Sequence, residues 1–237
     1  MKKRNEVVVV TGASQGIGRE TAMALCRDHG VDVIAVSRNE AALLALAAEM
    51  QDRDGVVQPL ALDLTDPNAP ASVAQAVGER RLRALVHNAG ALLNIPFGQY
   101  GAQDLVTMFN VNVFAPLLLT QALVHQLAGP PSGHVVHISS MGGFQDSIKF
   151  PGLLAYSSSK AALACMAQCL AEELKERGIS SNCLALGAVD TAMLRHAFPG
   201  YKAPTSAGEM GRFVARFAME GHKHFNGKVL PVSMSTP

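Results

Sequence analysis

The sequence predicts an α/β fold of a single domain in three layers, a parallel sheet doubly wound by helices on both faces. Three observations carry that expectation. The chain has 237 residues, 49% of them hydrophobic, enough to bury one sizeable core. Short β-branched runs alternate with alanine- and leucine-rich stretches, the order that builds a parallel sheet. Several of those runs are apolar throughout instead of at every second position, as a strand covered on both faces must be.

Each element follows in turn. A strand over 7–10 is succeeded by a helix over 16–29, then a strand over 31–36 and a helix over 41–51. The strand at 56–62 leads to a helix at 71–80, and the strand at 84–87 to one long helix at 103–127. The strand at 135–138, the helix at 157–177, the strand at 181–186, the helix at 206–221 and a last strand at 228–232 complete the alternation. Right-handed crossovers link each parallel pair. No repeat or low-complexity linker breaks the pattern, so 1–237 reads as one domain, with 190–204 as a loop capping a substrate pocket. In such sheets ligands lie beyond the carboxyl ends of the strands, and chemistry is sought there.

Bulk properties exclude several classes. A formal charge of +1 gives no electrostatic footprint for nucleic acid or an anionic membrane. The basic start Met1-Lys2-Lys3-Arg4 is followed only by the short apolar run Val7 to Val10, too brief for a signal-peptide core. No uninterrupted run of about 18 apolar residues is present, so no membrane partner is expected and the expected compartment is the cytoplasm. The cysteines Cys26, Cys165, Cys169 and Cys183 form no Cys-x-x-Cys pair and predict no disulfide framework. Cys165 and Cys169 read as small packing residues on a helix. His134 and His137 are expected to flank the fifth strand on opposite faces, and His222 and His224 to lie in a late loop. No metal site is expected.

The strand ends carry the chemistry. The first is followed by Thr11-Gly12-Ala13-Ser14-Gln15-Gly16-Ile17-Gly18, glycines that let backbone approach a pyrophosphate at a helix N-terminus. The second ends in Val36-Ser37-Arg38-Asn39, without the acid that would accept a hydrogen bond from a ribose 2′-OH. Ser37 and the planar fork of Arg38 suit a 2′-phosphate, which predicts NADPH (NADP+), with NAD(H) as the alternative. The fourth strand ends in Asn88-Ala89-Gly90, small residues that leave room for a ribose. The fifth ends in Ser139-Ser140, and Tyr156 and Lys160 follow at i and i+4 on one helix face. An ammonium beside a phenol lowers its pKa and readies it to exchange protons near neutral pH.

With these motifs in this order the chain, from Val7 to about Val232, resembles the short-chain dehydrogenase/reductase family of ordinary-length, single-domain, Rossmann-like members. The resemblance implies that Tyr156 is the general acid or base, that Ser140, in Ser140-Met141-Gly142-Gly143, bonds the substrate oxygen, and that Lys160 holds the nicotinamide ribose. It implies that Asn112, in Asn110-Val111-Asn112-Val113-Phe114, orders a proton-relay water. Asp63 and Leu64 would contact adenine; Gly187, Val189 and Thr191 would lie at the nicotinamide. The family's proline before Gly187 is Leu186 here, the usual C-terminal glycine pair is absent from Leu230-Pro231-Val232-Ser233-Met234, and the stretch from Ser140 to Tyr156 is slightly long. Within that stretch, Phe144 to Pro151 is expected to form one pocket wall. The implied function is hydride transfer between the cofactor and a small-molecule carbonyl or alcohol. A dinucleotide-binding redox sensor or scaffold is the alternative from another class, but it would have no need of Ser140 or Tyr156. Lyase or epimerase chemistry on the same fold is a second. The segment 190–204 holds Met193, Leu194, Phe198 and Tyr201, which suggest a partly apolar ligand. The apolar surplus over 117–127 and 161–174 implies a homodimer or homotetramer.

Overall fold

Four valines in succession cannot alternate in and out, so the first strand must lie in the middle of the sheet, and it does. The computed structural model describes residues 5–234; Met1 to Arg4 lie outside the described residues. Along the chain run β1 (Glu6–Thr11), α1 (Gly16–Asp28), β2 (Asp32–Ser37), α2 (Glu40–Glu49), β3 (Val57–Ala61), α3 (Ala69–Val77) and β4 (Arg81–His87). Next come α4 (Ala102–Phe109), a π-helical turn at Asn110–Phe114, α5 (Ala115–Leu127), β5 (Gly133–Ser140), α6 (Leu154–Glu173) and β6 (Ile179–Leu186). The chain closes with β7 (Val189–Asp190), α7 (Ala192–Ala197), β8 (Thr205–Ser206), α8 (Ala207–Glu220) and β9 (Val229–Val232).

The main sheet has seven parallel strands in the order β3-β2-β1-β4-β5-β6-β9, while β7 and β8 pair separately. Strand order reverses between β1 and β4, and the crevice opens beyond the strand ends there. Side-chain parity divides the core. Val8, Val10, Val33, Val136 and Ile138 pack with Leu25 and Val214, from α1 and α8. Val7, Val9, Ile34, Val36 and Val135 pack with Val73, Leu119 and Leu123, from α3 and α5. A bulge skips Arg83, pairing Val7 with Leu82 and Val8 with Ala84, so Leu82 and Leu85 share a face.

The sequence reading needs correction in several places. The expected helix 103–127 is divided by the π turn, and the segment 190–204 holds α7 between the paired strands β7 and β8. Joined through that turn, Ala102–Leu127 spans 26 residues and is long and apolar enough to cross a membrane by length and composition. Here α5 lies against α3 and β4, and α4 against α6, as covering helices. Cys165 and Cys169 are exposed instead of packed. His134 and His137 lie within β5, not beside it, and are fully buried on opposite faces.

Burial fixes the protonation of these histidines. His134 Nδ1 stands 3.1 Å from the Ala218 carbonyl and Nε2 3.0 Å from Asn182 Nδ2, so the ring is neutral with its proton on Nδ1. Desolvation lowers His134 and His87 to about 3, and takes His137 well below its ordinary value. In the unfolded chain each titrates near ~6.5, so between those values the unfolded state binds more protons and stability falls as pH falls. Each histidine that stays neutral contributes a slope of about 1.4 kcal/mol per pH unit. Unfolding free energies at pH values from 7 to 5 are therefore expected to decline with acid, and His134→Gln to flatten that slope by about one proton's worth. Stability unchanged across this interval would refute the assignment.

Candidate active site

One cleft of about 990 Å³ runs along the carboxyl ends of the strands. At its center β1 gives way to a loop built around close backbone approach. A Cβ on Gly18 would stand 2.3 Å from Asn88 Nδ2 and 2.4 Å from the Gly12 carbonyl oxygen, so the loop and the β4 end can meet only across a glycine. Gly16 takes φ +55°, a conformation that side-chain-bearing residues rarely adopt, and a Cβ there would touch Thr191 at 3.4 Å. Gln15, at the N-cap of α1, makes no side-chain cap, so the first N–H groups of the helix are free for an anion. An uncapped helix start behind an open glycine loop fits the pyrophosphate of a dinucleotide.

Thr11 organises the neighbouring loop, a role the sequence reading missed. Its hydroxyl donates to the Val86 carbonyl and accepts from Asn88 N and Ala89 N, while Asn88 Nδ2 donates to the Thr11 and Gly12 carbonyls. The Asn88 side chain is thus a tie between two loops, and Ala89 and Gly90 face the cleft with it. At the end of β2, Ser37 Oγ accepts from Asn39 N and keeps its own proton to donate. Arg38 is exposed, 3.9 Å from Asp63. Asp63 accepts from Thr65 N and Thr65 Oγ1, which hold its carboxyl below its ordinary value.

Of the expected cofactor residues, Gly12, Ser14, Gly16, Ile17, Ser37, Arg38, Asp63 and Leu64 line the cleft, as do Gly187, Val189 and Thr191. Gly18 does not; it sits buried beneath the loop. Ser140, Tyr156 and Lys160 share the same cavity. Ser140 Oγ accepts from Gly142 N at 3.1 Å. Its neighbour Ser139 is buried and donates to the Lys160 carbonyl. Lys160 Nζ donates to the Ile138 carbonyl at 2.9 Å and lies 5.9 Å from the centroid of the Tyr156 ring.

The electrostatics correct one expectation. Burial raises the Tyr156 phenol, with Ser140 pulling the other way, and lowers Lys160 to about 8. Without bound ligand, Tyr156 is therefore a protonated acid, not a phenol brought toward neutrality by Lys160.

Asn112 stands in the middle of the π turn and is fully buried outside the cleft lining. Its Oδ1 accepts from Ala91 N, and its Nδ2 donates to the Ala91 carbonyl and to Ser159 Oγ. Ser159 donates in turn to the Tyr156 carbonyl, so Asn112 ties the β4 loop to the helix that carries Tyr156. Of the wall expected from Phe144 to Pro151, Phe150 alone lines the cleft. From the segment 190–204, Met193, Leu194 and Phe198 line it and Tyr201 does not. Among the described residues no cluster of three or more His, Cys, Asp or Glu side chains is placed to hold a metal ion.

Residues 6–202 match the family model described as short chain dehydrogenase. The chain is 37% identical over 201 residues to the uncharacterized oxidoreductase YciK of Escherichia coli, covering 82% of this chain and 78% of that one. It is 34% identical over 189 residues to an L-xylulose reductase of Caenorhabditis elegans, covering 79% and 73%. A short chain dehydrogenase of Shigella flexneri, solved in complex with NADP, superposes with a TM-score of 0.86 at 31% identity over 96% of this chain and 97% of that one.

Proposed function

Since the chain belongs to the short-chain dehydrogenase/reductase family, an NAD(P)-dependent oxidoreductase family, we propose that it is an NADPH-preferring reductase or dehydrogenase acting on a small carbonyl or alcohol through Ser140, Tyr156 and Lys160. The observation that carries this reading is the opening of those three side chains into the same cavity as the uncapped glycine loop. Gly12, Ser14, Gly16 and Ile17 would hold the pyrophosphate, and Asp63 and Leu64 the adenine. Asn88, Ala89 and Gly90 would hold the adenosine ribose, and Gly187, Val189 and Thr191 the nicotinamide end. A bound nicotinamide dinucleotide supplies or accepts the hydride.

In reduction the Ser140 hydroxyl, which accepts from Gly142 N, is free to donate to the carbonyl oxygen of the substrate. Tyr156 then gives its phenolic proton to that oxygen as the alcohol forms, and takes it back in oxidation. Lys160 steadies the ribose beside the phenol, and Asn112 acts as a positioning residue through Ala91 and Ser159. The segment 190–204 closes over the substrate. The test is NADPH oxidation, followed by absorbance, against a panel of ketones. Binding of NADPH without turnover of any of them would favour the sensor or scaffold instead.

Assembly is part of the same reading, in a cytoplasm where all four cysteines remain thiols. Phe114, Leu117 and Leu118 are exposed along one helix and Cys165 and Cys169 along another, more apolar surface than helices covering a sheet need to show. Pairing through these helices gives a homodimer or homotetramer. Light scattering at micromolar concentration is expected to give a mass of two or four chains, and a monomer would overturn it.

A further inference from the structure

We infer that the carbonyl compound taken by this cleft is uncharged and carries an apolar substituent, an inference that rests on the reductase reading and deepens it. The charged side chains lining the cleft, among the described residues, are Arg38, Asp63 and Lys160. Arg38 and Asp63 stand just past the ends of β2 and β3, and Lys160 is bound to the Ile138 carbonyl. Leu92, Met141, Leu153 and Met193 line the same cleft as Tyr156. Phe150 and Phe198 line it too, their rings edge to face with centroids 5.4 Å apart.

Gln103, Thr107 and Asn110 are uncharged polar residues of the same lining, with Gln103 Nε2 donating to Thr107 Oγ1. The nearest candidate cations in sequence are engaged elsewhere. Arg195 is ion-paired with Asp190, and Lys149 donates to the Phe144 carbonyl; neither lines the cleft. A carboxylate or phosphate entering among these walls would lose its water and find no cation beyond Lys160, which is already bound to the Ile138 carbonyl, and that is costly. An apolar substituent would instead gain from burial against the same walls.

The experiment compares initial rates with NADPH for methyl benzoylformate, for benzoylformate, and for erythrulose, a neutral polyol ketone. The ester is expected to exceed the acid in kcat/KM by at least about 10²-fold, and erythrulose by about tenfold or more. The ester carbonyl is intrinsically the more reactive, so a variant isolates the contribution of the pocket. Met193→Arg, which adds a cation to the wall, is expected to narrow the ester-to-acid ratio by about tenfold. The inference alone falls if the wild type reduces the acid as well as the ester, or reduces erythrulose as well as the ester. It also falls if Met193→Arg still reduces the ester with the ratio unmoved. Absence of turnover with all three compounds by protein that binds NADPH overturns the reductase reading and the inference with it.

Discussion

Tyr156→Phe is expected to lower kcat for carbonyl reduction by at least about 10²-fold while leaving the dissociation constant of NADPH within about threefold, since a positioned acid contributes 10²–10⁴ and the substitution removes little else. The ring stays, and with it the packing at the cleft wall; only the hydroxyl is lost. Burial keeps that hydroxyl protonated in the free protein, so the wild type enters reduction with its proton in place. The charge on Lys160, lowered to about 8, is present at neutral pH and lost as pH rises. The kcat/KM for reduction, which reports groups of the free enzyme, is therefore expected to fall above about pH 8. The measurement is steady-state kinetics for both proteins across this pH range, with cofactor binding measured separately. A mutant with near wild-type kcat on a true substrate would remove Tyr156 from the chemistry.

The sheet was legible because burial on two faces leaves its mark on every residue of a strand. Val7 to Val10 can be nothing but a central strand, and they are. The candidate site was legible because its demands are local: Gly16 takes a positive φ, Gly18 relieves a steric conflict, and Tyr156 and Lys160 share a helix face by spacing alone. Where the structure differs, the cause is an element too short to show a period or a contact distant in the chain. α7 has six residues, too few for a period to declare itself. The bulge at Arg83 is a matter of registry between β1 and β4, which neither strand encodes by itself. The lowered pKa of Lys160 depends on the desolvation that the finished core imposes, and its hydrogen bond goes to Ile138, 22 positions earlier. Asn112 was named through the family resemblance, but its partners Ala91 and Ser159 come from opposite sides of the sequence.

Arg38→Asp is expected to reverse the cofactor preference. The side chain of Arg38 is 81% exposed, and its contact is a 3.9 Å approach to Asp63. An exposed pair of that kind is worth about 0–1 kcal/mol, so little holds the guanidinium away from a ligand. A hydrogen bond to a charged partner contributes roughly 1.5–3 kcal/mol, which predicts that wild type binds NADPH roughly 10- to 150-fold more tightly than NADH. The adjacent Ser37 hydroxyl, which accepts from Asn39 N, has its proton available for a phosphate oxygen. In the mutant a carboxylate stands at the end of β2, where it can accept a hydrogen bond from the ribose 2′-OH and repels a 2′-phosphate. A second carboxylate near Asp63 adds to that repulsion. Dissociation constants of both cofactors for both proteins, taken at one ionic strength because salt screens the attraction, decide the matter. NADH bound by wild type as tightly as NADPH would refute the preference and leave the dehydrogenase assignment standing. A mutant that still favoured NADPH would move the phosphate contact from Arg38 to Ser37.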